Sequence, residues 1–176
     1  MSGSFTIISA AFLVPLALII SYYDICYRRI PNPFVLATLI VGIFLNVFHT
    51  GLNGALASLG GCALGFILMF ILHIFGAMGP GDVKLFAAIG AIAGANLVLP
   101  MFIVVTLTGG VLGVVSMLRA GQVKVTMMRV MHIVLGLLPG QRVPRFAIPT
   151  DRKLTIPYGV AITFGSLISL VLFRAW

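Results

Sequence analysis

The chain has 176 residues, 61% apolar and 8% charged, with a mean hydropathy of +1.21. A soluble domain averages about 25% charged residues, so these values exclude an ordinary soluble domain and a disordered chain and leave a membrane protein. Eleven Lys and Arg stand against three acids, Asp24, Asp82 and Asp151, so the pI near 10.4 reflects missing carboxylates more than any basic run and is not read as nucleic-acid binding.

A helix needs about 20 residues to cross the hydrocarbon layer. Apolar runs that meet or approach this length occupy residues 5–23, 33–49, 54–75, 83–99, 100–118 and 156–174. They predict an all-α integral membrane protein of six transmembrane helices, folded as one polytopic domain over residues 1–176. The first run has no basic residue ahead of it and no cleavage pattern, and reads as a retained helix rather than a secretory signal. Ile30-Pro31-Asn32-Pro33 opens the second run, with Asn32 in the N-cap role and Pro33 at the first helical position. The fourth and fifth runs nearly abut, parted by Asn96 and Pro100.

Charge sets the orientation. Arg28 and Arg29 follow the first run and Lys84 lies at the connection of the third and fourth. Arg119, Lys124, Arg129, Arg142, Arg145, Arg152 and Lys153 fall between the fifth and sixth. These connections share one side of a six-helix chain, and Arg174 alone lies opposite. By the positive-inside rule that side is cytoplasmic and both termini are outside. Residues 119–153 are too polar to span and read as a basic, partly interfacial loop on anionic lipid headgroups. Within it, Asp151 beside Arg152 and Lys153 is explained by a solvated ion pair.

Small residues one turn apart, Gly61/Gly65, Gly90/Gly94 and Gly109/Gly113, mark faces where helices approach closely, within the molecule rather than between copies. Cys26 and Cys62 form no C-x-x-C pair and are expected to stay reduced. His49, His73 and His132 lie in separate segments without ligand spacing, so no metal is expected, and His73 reads as a hydrogen-bonded packing residue.

Two of the three acids fall at one depth on one side: Asp24 at the end of the first helix and Asp82 in Gly79-Pro80-Gly81-Asp82 at the start of the fourth. Ionisable groups at membrane depth are functional candidates, and two carboxylates in a dry place share a proton and can activate a water. Singly, each has a plainer reading: Asp82 as a helix cap, Asp24 as a partner of Arg28 four residues on. Gly79, Pro80 and Gly81 make a side-chain-poor turn, and Pro157-Tyr158-Gly159 opens the sixth helix on the same face, with a hydroxyl near the headgroups.

Asp24 followed by Arg29-Ile30-Pro31-Asn32 resembles the first catalytic motif of the prepilin peptidases, membrane aspartic proteases with a G-x-G-D signature. Gly79-Pro80-Gly81-Asp82-Val83-Lys84-Leu85, continuing to Ala88-Ile89-Gly90, resembles the second, and Pro157-Tyr158-Gly159 is similar to an element of the last helix. The resemblance implies catalysis by Asp24 and Asp82, with Gly79, Pro80, Gly81, Lys84, Asn32, Pro157, Tyr158 and Gly159 shaping the site or binding substrate. It also implies prepilin or pseudopilin precursors as partners, and removal of a short basic leader at the cytoplasmic face of a bacterial inner membrane. Larger members carry a C-x-x-C insertion associated with N-methylation. Its absence here makes the chain similar to the short subfamily serving tight-adherence, Flp-type pili, so methyltransferase activity does not carry over.

Helix ends suggest an asymmetry in the pair. Asp82 lies at a helix N-terminus, where free N–H groups stabilise an anion, and Asp24 at a C-terminus, where the dipole opposes one. The resting proton is therefore expected on Asp24, unless Arg28 and Arg29 turn inward. The alternative is a proton- or cation-coupled carrier, since paired intramembrane acids also build relays. A presenilin-like protease fits less well, because two helices separate the acids here and none does in that family.

Overall fold

The computed structural model describes residues 2–76, 78–119 and 158–174. They form six helices: α1 Ser2–Tyr27, α2 Asn32–Thr50, α3 Leu52–Ile74, α4 Pro80–Ala93, α5 Ala95–Arg119 and α6 Tyr158–Arg174. No strand occurs among the described residues. Residues 120–157, which hold most of the expected interfacial loop, Asp151 and Pro157, lie outside the described part.

Four stretches are long and apolar enough to cross a membrane: Ile7–Tyr27, Asn32–Thr50, Leu52–Ile74 and Ala95–Ser116. The apolar part of α6, Tyr158–Phe173, is shorter. Large apolar side chains such as Phe44, Phe48, Leu52, Ile67 and Leu107 are exposed on the long helices, the surface that lipid would cover.

The fourth predicted span is corrected. The helix there has 14 residues, about 21 Å at 1.5 Å per residue, and ends at Gly94 rather than running to residue 99. Gly94 takes a φ of 78°, a left-handed conformation that costs other residues a steric penalty, and α5 restarts at Ala95. Pro100, expected to part the two runs, sits inside α5. There its missing N–H removes only the single bond that Asn96 would have accepted.

Helix α4 is the centre of the bundle. From Leu85 to Ala93 every residue is buried, and the helix packs against α2, α3, α5 and α6. A helix apolar on every face belongs in a core. Ending there leaves its last carbonyls without intrahelical donors, and neither lipid nor packed side chains supply any. Two polar residues on neighbouring helices do. Asn46 Nδ2 donates to the carbonyls of Ala91 at 2.8 Å and Ile92 at 3.2 Å. Ser58 Oγ donates to Ala91 at 2.7 Å.

The expected small-residue contacts are intramolecular. Gly61 on α3 faces Gly90 on α4 so closely that a Cβ on either would overlap the other's carbonyl group. Gly65 lies against the Phe86 backbone, and Gly109 makes room for the Tyr158 ring, to which a Cβ would come within 3.1 Å.

At the start of α2 the cap is shifted by one from expectation. Pro31 is the N-cap, with an extended ψ of 127° and no side-chain hydrogen bond, and Asn32 is already helical. Asn32 therefore does not cap, since a residue at the first helical position cannot place its side chain on the N–H groups ahead of it.

Candidate active site

The site forms where the end of α1 and the starts of α4 and α6 meet. Tyr22, Tyr23 and Tyr27 cluster on the last turns of α1, and the Tyr23 ring centroid lies 5.8 Å from that of Phe34 at the start of α2. Aromatic residues of this kind favour the level where hydrocarbon gives way to headgroups. Helix α1 stops before Arg28, whose φ is 52° and whose N–H donates to the Asp24 carbonyl at 3.1 Å.

Asp24, in the last turn of α1, is 7% exposed. Its Oδ2 accepts the N–H of Gly159 at 2.7 Å, and the Val160 N–H also reaches it. These are free donors of the first turn of α6. A side chain on Gly159 has no place here, because a Cβ would lie 2.9 Å from the same Oδ2.

Asp82 is the third residue of α4. Its Oδ2 accepts the N–H of Gly79, the N-cap residue, at 3.0 Å, the carboxylate half of a capping box. The plainer reading of Asp82 as a capping side chain is thus correct as far as it goes, and compatible with a second role. Its carboxyl lies on the short helix outside the four long segments, and burial is the main cause that pushes its pKa up to about 6. The Asp24 charge acts in the same direction, and the Gly79 N–H opposes it. The two carboxylates are therefore within Coulombic reach of one another. Each holds a backbone N–H through its Oδ2.

The turn ahead of Asp82 is braced from two sides. Ile30, from the Arg29-Ile30-Pro31-Asn32 stretch, packs where a Gly81 Cβ would meet its own Cβ at 3.5 Å. The two sequence motifs are thus in direct contact. From the end of α3, His73 Nδ1 lies 2.8 Å from the Met78 carbonyl. A carbonyl only accepts, so Nδ1 carries the proton and donates. His73 also lies near Asp82. The expected hydrogen-bonded role of His73 is correct, but its proximity to the site was not legible, because nothing local links residue 73 to residue 82. Tyr158 lies within reach of the Asp82 charge.

The expected asymmetry between the acids is not what the geometry supports. Asp24 sits at the C-terminus of its own helix, yet its carboxylate points to the N-terminus of α6. Arg28 has also turned inward: its Nη1 is buried without a hydrogen-bond partner among the described residues, and its charge acts on Asp24. The grounds for placing the resting proton on Asp24 are gone.

Of the residues expected to shape the site, Gly79, Gly81, Tyr158 and Gly159 gather around the two acids, and Pro80 opens α4 beside them. Lys84 is two residues from Asp82, about 200° around the helix, and with Asn32 it lines a groove on the α2 and α3 side of α4. No group of three or more candidate metal ligands occurs among the described residues.

The profile described as "Type IV leader peptidase family" matches residues 11–114, more than half of the chain. The chain belongs to the type IV leader peptidase family. The match spans Asp24 and Asp82 and stops short of Tyr158 and Gly159. This leader peptidase family member is 29% identical over 124 residues to the prepilin leader peptidase/N-methyltransferase of Bacillus subtilis (strain 168), covering 65% of this chain and 47% of that protein. The chain thus spans about half the length of the curated relative it matches. No solved structure matches it.

Proposed function

We propose that the protein is a membrane aspartic endopeptidase that removes the short basic leader of type IV prepilins, of the Flp type, at the cytoplasmic face of a bacterial inner membrane. The observation that carries this reading is that Asp24 on α1 and Asp82 on α4 are each fixed by a backbone N–H at a helix start and lie within Coulombic reach of one another. In it the whole chain acts as one polytopic peptidase domain with both termini outside.

The chemistry follows from the pair. A water held between the two carboxylates attacks the scissile carbonyl. One carboxylate takes the water's proton while the other, protonated, donates to the carbonyl oxygen. Two like charges within Coulombic reach in a desolvated place do not both ionise readily, so a single shared proton is the resting condition in this reading, and titration reports the pair rather than either residue. Desolvation holds the Asp82 carboxyl in the range where it can act as an acid at slightly acidic pH. Gly79, Pro80 and Gly81 leave backbone within reach of an extended substrate, and Tyr158 supplies a hydroxyl beside it.

The substrate's apolar helix and basic leader, and anionic headgroups around residues 119–153, are the partners in this reading. Co-expression with a prepilin precursor tests it: the precursor shortens by its leader when the chain is present, and an unchanged precursor overturns the proposal.

The α1–α6 contact gives a sharper expectation. In Gly159→Ala the new methyl group would sit 2.9 Å from Asp24 Oδ2 and must displace it. A misplacement of about 1 Å costs about 10²-fold in rate, so kcat is expected to fall by about that factor with KM little changed. Steady-state kinetics on a fluorogenic prepilin peptide, with folding checked by size-exclusion chromatography, reads the split. A folded Gly159→Ala protein with wild-type kcat would show that the Asp24 position does not matter.

A further inference from the structure

We propose that the groove between α2, α3 and α4 is a binding site for an anionic phospholipid, with Lys84 taking the phosphate and the apolar walls one acyl chain. The inference is independent of the peptidase reading, and concerns the opposite face of α4.

The groove has a volume of about 610 Å³ and an almost wholly apolar lining that includes Leu36, Leu39, Cys62 and Phe66. Lys84 and Asn32 stand at its polar end, beside the starts of α4 and α2. From Asn32 to Leu39 it follows α2 for about 10 Å at 1.5 Å per residue, running from the rim of the bundle toward its middle. Two of its walls, α2 and α3, are membrane-spanning by length and hydropathy, and Leu36 and Phe66 are exposed on them. The groove is therefore open to the lipid phase along its length.

The charge at its end selects the occupant. Lys84 is exposed and makes no ion pair among the described residues. The two carboxylates described, Asp24 and Asp82, are held by backbone N–H groups on the other side of α4. A chain with eleven basic and three acidic residues has few internal counter-ions to offer. A cation at a membrane rim with an apolar channel beneath it fits an amphiphile with an anionic head, and basic pockets between membrane helices bind such headgroups. The other apolar occupant, a prepilin helix, brings a basic leader that Lys84 would repel.

Cys62 in the groove wall is partly exposed and reports occupancy. In the full chain carrying Cys26→Ser, the rate of Cys62 alkylation by a maleimide is measured in neutral detergent with added dioleoyl phosphatidylglycerol or, at the same mole fraction, dioleoyl phosphatidylcholine. One Lys contributes about 1 kcal/mol toward an anionic lipid, so phosphatidylglycerol is expected to protect Cys62 about fivefold better. Lys84→Gln should erase that preference and Lys84→Arg retain it. Equal protection by the two lipids overturns the proposal, as does a preference that survives Lys84→Gln. Protection by a prepilin peptide but not by phosphatidylglycerol would instead assign the groove to substrate. Because alkylation requires no cleavage, failure here leaves the peptidase reading untouched, and failure of peptidase activity leaves this result standing.

Discussion

Asp24→Asn and Asp82→Asn are each expected to lower leader cleavage by about 10³-fold or more, in line with the loss of a positioned acid or base and of the partner that makes it effective. Asn keeps the size of Asp, and its amide oxygen can still accept the Gly159 or Gly79 N–H that the carboxylate accepts now. The fold should therefore survive while the proton chemistry does not. Because the two groups act as a unit, the double variant should be little worse than either single one. Single-turnover cleavage of a purified precursor reads these rates. Wild-type processing by either folded variant would remove that aspartate from the mechanism, and wild-type processing by both would end the aspartic-protease reading.

The second large effect is structural and comes with its own control. Gly61→Ala places a methyl group into the carbonyl of Gly90, where backbone meets backbone and no side chain can swing away. Helix α3 must then move off α4, the buried centre of the bundle. Overpacking of this kind costs about 1–3 kcal/mol, and Gly61→Leu should cost more, enough to deplete the folded protein. The adjacent Gly60 is different: its Cβ would meet only the Ala95 Cβ, at an ordinary 3.5 Å. Gly60→Ala should stay within about 0.5 kcal/mol of wild type. Thermal unfolding in detergent compares the three. Equal melting temperatures for Gly60→Ala and Gly61→Ala would mean that α3 and α4 do not cross at Gly61.

Several features were legible from the sequence because they are recorded locally. Hydropathy alone placed α1, α2 and α3, and the end of α5, to within a few residues. The break before α5 was misplaced because Pro100 is the louder signal. A proline a turn into a helix loses one bond at most, whereas Gly94, at a φ of 78°, redirects the chain. Asn46 and Ser58 gave no sign of their roles either, since each acts on a carbonyl 33 or more positions away in the chain.

The site divides the same way. Sequence by itself determined that only three aspartates and no glutamate exist, that Asp24 falls at the end of one helix and Asp82 at the start of another, and that each lies in a recognisable motif, because composition and periodicity are properties of the chain. Only the tertiary structure decided what those carboxylates touch. Asp24 looked like an acid at the wrong end of a helix, yet 135 positions away α6 supplies the N–H groups that its own helix cannot. Lys84 looked like part of the Asp82 motif, and the helical turn between them sends it to the opposite face. A dipole, a cap or a charge acts through space, and the partner that gives it meaning is set by which helices pack together.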